Sequence, residues 1–400
     1  MIPYGKHYLD EEDIQAVVDV LRNGALTQGP KVAEFENAIT EYTGAKYAVA
    51  VSSGTAALHL ACMVSNLGPG DEVLTTTNTF VASSNCARYV GATPIFVDID
   101  LHTLNIDLND LRKKCKASSK VKALIPVHFA GFPCEMKSIK GIADEAEAIV
   151  IEDASHALGA TYEDGSRVGN CRYSDLTVFS FHPVKGITSG EGGMITTNDE
   201  HMFHRLLILR SHGICKGNFD MPGISHADNK LMKAHSAIED GELKMWYYEM
   251  QELSFNYRIT DMQSALAISQ MKKIDKFLER RRELVANYDK AFQNTDFIEC
   301  TQLHGRQQSS HHIYVVQIDF ERLGLSRHKL MRKLAAVGIG TQVHYIPVPM
   351  HPYYEALGYQ ISDYPVTEKY YAMALSIPLY YGLSDDEQAY VIETINRLLK

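Results

Sequence analysis

The chain has 400 residues, with 39 Lys and Arg against 49 Asp and Glu, a formal charge of −10, and a hydrophobic share of 45%. That length is more than one hydrophobic core fills and predicts two domains, and the acidic balance argues against a protein that grips nucleic acid through a basic surface. No uncharged apolar run approaches the ~20 residues of a membrane helix, Met1–Lys6 lacks the parts of a signal peptide, and seven scattered cysteines with no Cys-x-x-Cys pair fit a reduced, cytoplasmic setting without disulfides or a structural metal.

From about residue 45 to 200, short apolar runs alternate with helical patterns. Strands are expected at Tyr47–Val51, Glu72–Thr76, Pro94–Val97, Ala123–Val127, Ile149–Ile151, Leu176–Phe181 and Gly193–Thr197. Helices are expected at Thr55–Val64, Phe80–Tyr89 and Lys137–Glu147. Strands separated by helices imply βα crossovers, hence an α/β fold with a mainly parallel sheet. Residues 214–250 lose periodicity and are rich in Gly, Asp, Lys, His and Met, which predicts a long loop or hairpin insertion. Thr260–Phe292 is one long helical pattern with Thr260 as its cap. Beyond it, strands at His312–Phe320 and Gly340–Tyr345 and helices at Arg327–Val337, near Glu368–Ala374 and at Asp385–Leu399 predict a smaller α+β unit. The expected division is 1–275 for the large domain and 276–400 for the small one.

Four segments carry chemistry. In Val51-Ser52-Ser53-Gly54-Thr55-Ala56 a strand gives way to a helix start, where free N–H groups and the helix dipole suit a phosphate. In Ile151-Glu152-Asp153-Ala154-Ser155-His156 two acids follow an apolar strand, so one sits at its C-terminal tip, where open parallel sheets bind ligands. In Ser180-Phe181-His182-Pro183-Val184-Lys185 a lysine leaves an apolar strand for a glycine-rich loop, and a desolvated lysine is an amine nucleophile. Asn256-Tyr257-Arg258 precedes the long helix.

Taken together, these segments resemble the DegT/DnrJ/EryC1/StrS family of sugar aminotransferases. Gly54-Thr55-Ala56, Glu152-Asp153-Ala154, Ser180–Lys185, Gly190-Glu191-Gly192-Gly193 and Asn256-Tyr257-Arg258 stand in that family's order and spacing. Leu26-Thr27-Gln28-Gly29-Pro30 and His344-Tyr345-Ile346-Pro347 extend the likeness along nearly the whole chain. The resemblance implies the fold-type-I transferase fold dependent on pyridoxal 5'-phosphate, with the amine form of the cofactor, pyridoxamine phosphate, arising between two half-reactions. It implies Lys185 as the Schiff-base lysine and proton carrier, and Asp153 as the partner of the pyridine nitrogen. It places Gly54, Thr55, Ala56 and Ser180 at the phosphate, Phe80 on the ring face and His156 near the ring. Asn256 would reach the cofactor of a neighbouring subunit, implying a homodimer with shared sites.

For substrate, the resemblance implies glutamate as donor and a nucleotide-linked keto sugar as acceptor. Within the family the likeness is to enzymes that aminate C4 of a UDP-linked 4-keto-6-deoxy-N-acetylhexosamine on the way to pseudaminic acid. Tyr4, Lys6, Thr27, Arg258, His344 and Tyr345 are candidate substrate contacts. A dehydratase of the same family would carry histidine in place of Lys185. His311, His312 and His344 lack a further ligand at zinc spacing, so no metal is expected. Arg280-Arg281-Arg282, flanked by Glu279 and Glu283, reads as a solvated helix face.

Overall fold

Seven strands build the central sheet of the computed structural model, which describes residues 1–216, 238–239 and 242–399. They are β1 (Tyr47–Val51), β2 (Glu72–Thr76), β3 (Thr93–Val97), β4 (Val121–Ile125), β5 (Ile149–Asp153), β6 (Leu176–Ser180) and β7 (Gly193–Thr197). Their spatial order is β1-β7-β6-β5-β4-β2-β3. Strands β2 to β6 pair in parallel, joined by helices except between β5 and β6, where a helix-free loop makes the crossover. β7 runs antiparallel to both neighbours. The link from β6 to β7 contains no helix, so the chain folds straight back instead of crossing over.

Among the described residues, nine helices belong to this part of the chain: α1 (Glu11–Asn23), α2 (Pro30–Thr43), α3 (Gly54–Val64), α4 (Ala82–Tyr89), α5 (Leu108–Ala117), α6 (Met136–Glu145), α7 (Glu200–Leu209), α8 (Asp261–Met271) and α9 (Ile274–Phe292). The sheet is buried on both faces, and successive residues serve opposite cores. Val150 of β5 joins Phe35, Ile39 and Phe179, while Ile151 joins Leu58, Val178 and Leu206. Part of the 214–250 region forms hairpin pairs. β8 (Ile214–Lys216) pairs with β11 (Tyr248–Met250), and β9 (Ile238–Glu239) with β10 (Glu242–Leu243). Residues 217–237 and 240–241, within the expected insertion, lie outside the described residues.

The single helix expected over Thr260–Phe292 is two helices, broken at Lys272 and Lys273. Thr260 does cap the first, its Oγ1 accepting from Gln263 N at 3.2 Å. The break lets α9 turn from one core to another. Ile274, Phe277 and Leu278 pack with the central sheet, and Leu284, Val285, Tyr288 and Phe292 pack with the C-terminal sheet. That sheet has β12 (Ile298–Cys300), β13 (Tyr314–Ile318) and β14 (Ala374–Ile377), all antiparallel. The strand expected at Gly340–Tyr345 does not form. Only Gln342 bridges to Ser376, after which the backbone turns to the central sheet, with Tyr345 N donating to Asn78 Oδ1 at 3.1 Å and Val348 N to Thr77 O at 3.0 Å. No helix among the described residues is long and apolar enough to cross a membrane.

One glycine couples the sheet to the start of α3. A Cβ on Gly193 would lie 2.2 Å from Ser53 O and 2.9 Å from Gly54 N. Gly193→Ala is therefore expected to push β7 off the β1–α3 junction at a cost of about 1–3 kcal/mol. Thermal melts check this, and an unchanged Tm would contradict it.

Candidate active site

β1 ends at Val51, and Ser53 caps α3 by accepting from Ala56 N at 3.1 Å. The N–H groups of Gly54 and Thr55 then open the helix at its positive end, the usual seat of an anion. Gly54 is needed for what faces it: a Cβ there would come 2.9 Å from Ser180 Cβ. Two backbone amides and a serine thus converge on one spot.

Asp153 is the last residue of β5 and is buried. Its Oδ2 accepts from Ser83 Oγ at 2.6 Å and its Oδ1 from Ser155 N at 3.1 Å. Its neighbour Glu152 faces the other way, as alternation along a strand demands. Glu152 accepts from Tyr162 OH at 2.5 Å, Thr177 Oγ1 at 3.2 Å and Ser174 Oγ. It also pairs with His128 Nε2 at 2.7 Å. His128 Nδ1 accepts from Cys134 N at 3.0 Å, so the ring's Nε2–H is the donor to Glu152. The two consecutive acids therefore divide: Asp153 faces the site, and Glu152 anchors the strand beneath it.

Lys185 sits in the turn after β6, its N donating to His182 O at 2.9 Å. Burial lowers its ammonium pKa to about 8, against the pull of the Asp153 carboxylate. A useful fraction of neutral amine is then present near neutrality.

A cavity of about 620 Å³ joins these groups. Gly54, Thr55, Phe80, Asp153, His156, Ser180 and Lys185 line it, and so do Tyr4, His344 and Tyr345. Phe80 is exposed at its mouth. His156 Nε2 and Tyr345 OH are hydrogen-bonded at 3.0 Å, and the His156 ring lies 4.2 Å from that of His312. Burial, aided by the charge of Lys185, holds His156 and His312 well below the usual imidazole range and His344 at about 4. The cavity thus sets three histidines held uncharged, His156, His312 and His344, beside the Lys185 amine and the carboxylates of Asp153 and Glu191.

Five of the expected residues do not line it. Ala56 stands behind the helix start with its N–H given to Ser53. Lys6 borders a void of about 10 Å³ that Lys185 also borders. Thr27 bridges to Thr260, and Asn256 bridges to Ser211. Arg258 donates to Ser211 Oγ at 2.6 Å and borders a separate groove of about 290 Å³. Conversely, Ser83, Gln342 and Ser376 contribute to the site or its support from outside any motif, and His312, weighed in the sequence only as a metal ligand, lines the cavity.

The donor set suits pyridoxal phosphate. The α3 cradle that a Cβ at Gly54 would fill fits its phosphate, Asp153 its ring nitrogen, and Lys185 its aldehyde. The DegT/DnrJ/EryC1/StrS aminotransferase family model matches residues 7–396. The chain belongs to that family. Among its relatives is the spore coat polysaccharide biosynthesis protein SpsC of Bacillus subtilis, 38% identical over 401 residues, which cover 100% of this chain and 97% of SpsC. The UDP-4-amino-4,6-dideoxy-N-acetyl-beta-L-altrosamine transaminase of Campylobacter jejuni is 35% identical over 402 residues, covering 100% of this chain and 98% of its own. The structure of Helicobacter pylori PseC, an aminotransferase of pseudaminic acid biosynthesis, superposes with a TM-score of 0.86 at 28% identity, over 100% of this chain and 99% of that one. A Streptococcus pneumoniae protein assigned as a sugar aminotransferase, Spr1654, has been solved in its PMP form and superposes at 0.87 with 30% identity, over 100% and 99% of the two chains. It has also been solved in its PLP form. This family member is accordingly a fold-type-I, pyridoxal-phosphate-dependent sugar aminotransferase.

Proposed function

We propose that this aminotransferase moves an amino group from glutamate to the C4 keto group of a UDP-linked 4-keto-6-deoxy-N-acetylhexosamine, in nucleotide-sugar synthesis of the pseudaminic acid type, in the cytoplasm. The observation that carries the reading is the character of the cavity wall. Apart from Lys185, Asp153 and Glu191, its lining is imidazole, with His156, His312 and His344 held uncharged, and hydroxyl, amide and apolar surface, and no arginine is among the described lining residues. Such a wall offers hydrogen-bond partners to a polyhydroxylated acceptor, while the carboxylates of the donor glutamate call for a guanidinium, which Arg258 brought from a neighbouring subunit would supply.

Bound pyridoxal phosphate supplies an aldehyde for amines and a ring that withdraws electrons. The protein's own groups do the rest in this reading. Gly54, Thr55 and Ser180 hold the phosphate, with Ala56 fixing the helix start behind them, Phe80 covers the ring and His156 lies at its edge. Asp153, fixed by Ser83 and Ser155, holds a proton at the ring nitrogen. Lys185 Nζ accepts and returns the proton at the reacting carbon. Tyr4, Lys6, Thr27, Arg258, His344 and Tyr345 serve the substrate. Asn256 and Arg258 lie outside the cavity of their own chain, which suits delivery to a partner's site in a homodimer. The exposed Met245, Trp246, Leu253 and Phe255 just before them form apolar surface of the kind that subunits cover. The proposed domains are 1–275 and 276–400.

The test is visible absorption of the holoenzyme. Glutamate should bleach the cofactor band, and the UDP-linked keto sugar should restore it. Bleaching without restoration would leave transamination standing and sink this acceptor.

A further inference from the structure

β14 is a fully buried strand, Ala374-Leu375-Ser376-Ile377, and Ser376 is the polar residue in it. A buried hydroxyl must give its proton to something. Ser376 Oγ has one hydrogen-bond partner among the described residues, His344 Nδ1 at 2.8 Å, and no accessible surface for water. Nδ1 cannot be the donor in this pair without leaving the serine proton buried and unpaired. The hydroxyl therefore donates, Nδ1 accepts, and the imidazole proton resides on Nε2. The other end of the residue is also held, because Tyr370 OH donates to His344 O at 2.7 Å. His344 Nε2 has no protein partner among the described residues, while the ring lines the cavity that holds Lys185.

We infer that Ser376 is a positioning residue that locks His344 into its Nε2–H tautomer, making it a neutral donor to an uncharged oxygen, carbonyl or hydroxyl, of the sugar acceptor. This rests on the sugar-acceptor reading above. The choice of an uncharged oxygen follows from the surroundings. Burial and the nearby Lys185 disfavour a second positive charge on this ring, so it offers a hydrogen bond without the charge that would hold a carboxylate tightly. A histidine free to switch tautomer would present a lone pair to the same oxygen part of the time and repel it. The serine removes that option from a strand that has no other reason to carry a hydroxyl.

The experiment uses the holoenzyme labelled with ¹⁵N-histidine, with His344→Gln for assignment. The wild type should show His344 protonated at Nε2 and unprotonated at Nδ1 before any substrate is added. In Ser376→Ala that pattern should collapse to a mixture. The half-reaction with the UDP-linked 4-keto-6-deoxy-N-acetylhexosamine should then suffer about tenfold more, in KM, than the half-reaction with glutamate. Ser376→Thr, which keeps the hydroxyl, should restore both. A wild-type proton on Nδ1, or an unchanged tautomer in Ser376→Ala, overturns the inference, as does equal damage to both half-reactions. A wild-type enzyme that ignores the sugar while showing the Nε2–H tautomer would instead overturn the proposed acceptor.

Discussion

Lys185→Met is expected to abolish transamination and, at neutral pH, to make the cofactor-free protein more stable. The activity half follows from position. No other amine lines the cavity among the described residues, so the variant loses both the nucleophile that meets the aldehyde and the base at the reacting carbon. Proton transfer by a placed side chain alone is worth about 10²–10⁴ in rate, and loss beyond about 10³ is expected. The stability half follows from burial, which lowers the lysine from its ordinary 10.5 to about 8. The folded protein thus holds its proton less tightly than the unfolded chain. Between those two values the unfolded state binds more protons, so the group's contribution to stability rises with pH across the window. Below pH 8 the full penalty stands, on the order of 3 kcal/mol. Melts of the cofactor-free proteins should show the variant ahead at pH 7, with its lead shrinking toward pH 10. A variant less stable than wild type at both values would mean the lysine is at ease where it is.

Asp153→Asn is expected to slow the glutamate half-reaction by about 10²–10³, the range for removing one well-placed electrostatic group from an active site. The amide oxygen can still accept from Ser155 N, and its NH2 can donate to Ser83 Oγ where the second carboxylate oxygen stood, so the fold should survive. What it cannot do is hold a positive charge on the ring nitrogen opposite, and the ring's capacity to withdraw electrons falls. Glu152 is the natural control, being the adjacent acid on the opposite face of the sheet. Glu152→Gln disturbs the contacts to His128, Tyr162, Ser174 and Thr177 and should cost about 1–3 kcal/mol of stability. Its single-turnover bleaching by glutamate should stay near the wild-type rate. If the two variants exchanged these phenotypes, the assignment of the acids to their faces would be wrong.

Much of this was readable in the sequence because parallel sheets write themselves as apolar runs at regular intervals. The strands at Tyr47–Val51, Glu72–Thr76 and Gly193–Thr197 fall where periodicity puts them. Direction is another matter. An antiparallel β7 looks like any other strand, and the helix-free link before it does not mark the reversal, since the link from β5 to the parallel β6 is helix-free too. The break at Lys272–Lys273 lies inside an unbroken helical pattern, because the two helices meet end to end with no Gly or Pro between them. The failed strand at Gly340–Tyr345 has strand composition, yet the backbone at its end is claimed by Asn78, 267 residues away in sequence, and by Thr77 just beyond. The site divides the same way. Residues inside motifs, such as Gly54, Asp153 and Lys185, are visible because several chemical requirements coincide locally. Ser83 and Ser376 are invisible because a lone serine in a helix or strand acquires meaning only from what the fold places opposite it.

The polypeptide passes between its two sheets repeatedly. Ile2 pairs with Ile339 and Tyr4 O accepts from Leu379 N, while α1 packs on α8. α9 spans both cores, the segment after Gln342 returns to Thr77, and Thr367 bonds to Asp98 before β14 begins. The molecule is cross-braced like a truss and lacks the single flexible neck of a clamshell. A nick at the α8–α9 junction would leave two fragments still laced together, and a protease should release no free C-terminal half. A large ligand would therefore enter and leave through the standing mouth at Phe80 and Ile346, with no need for the two halves to swing apart.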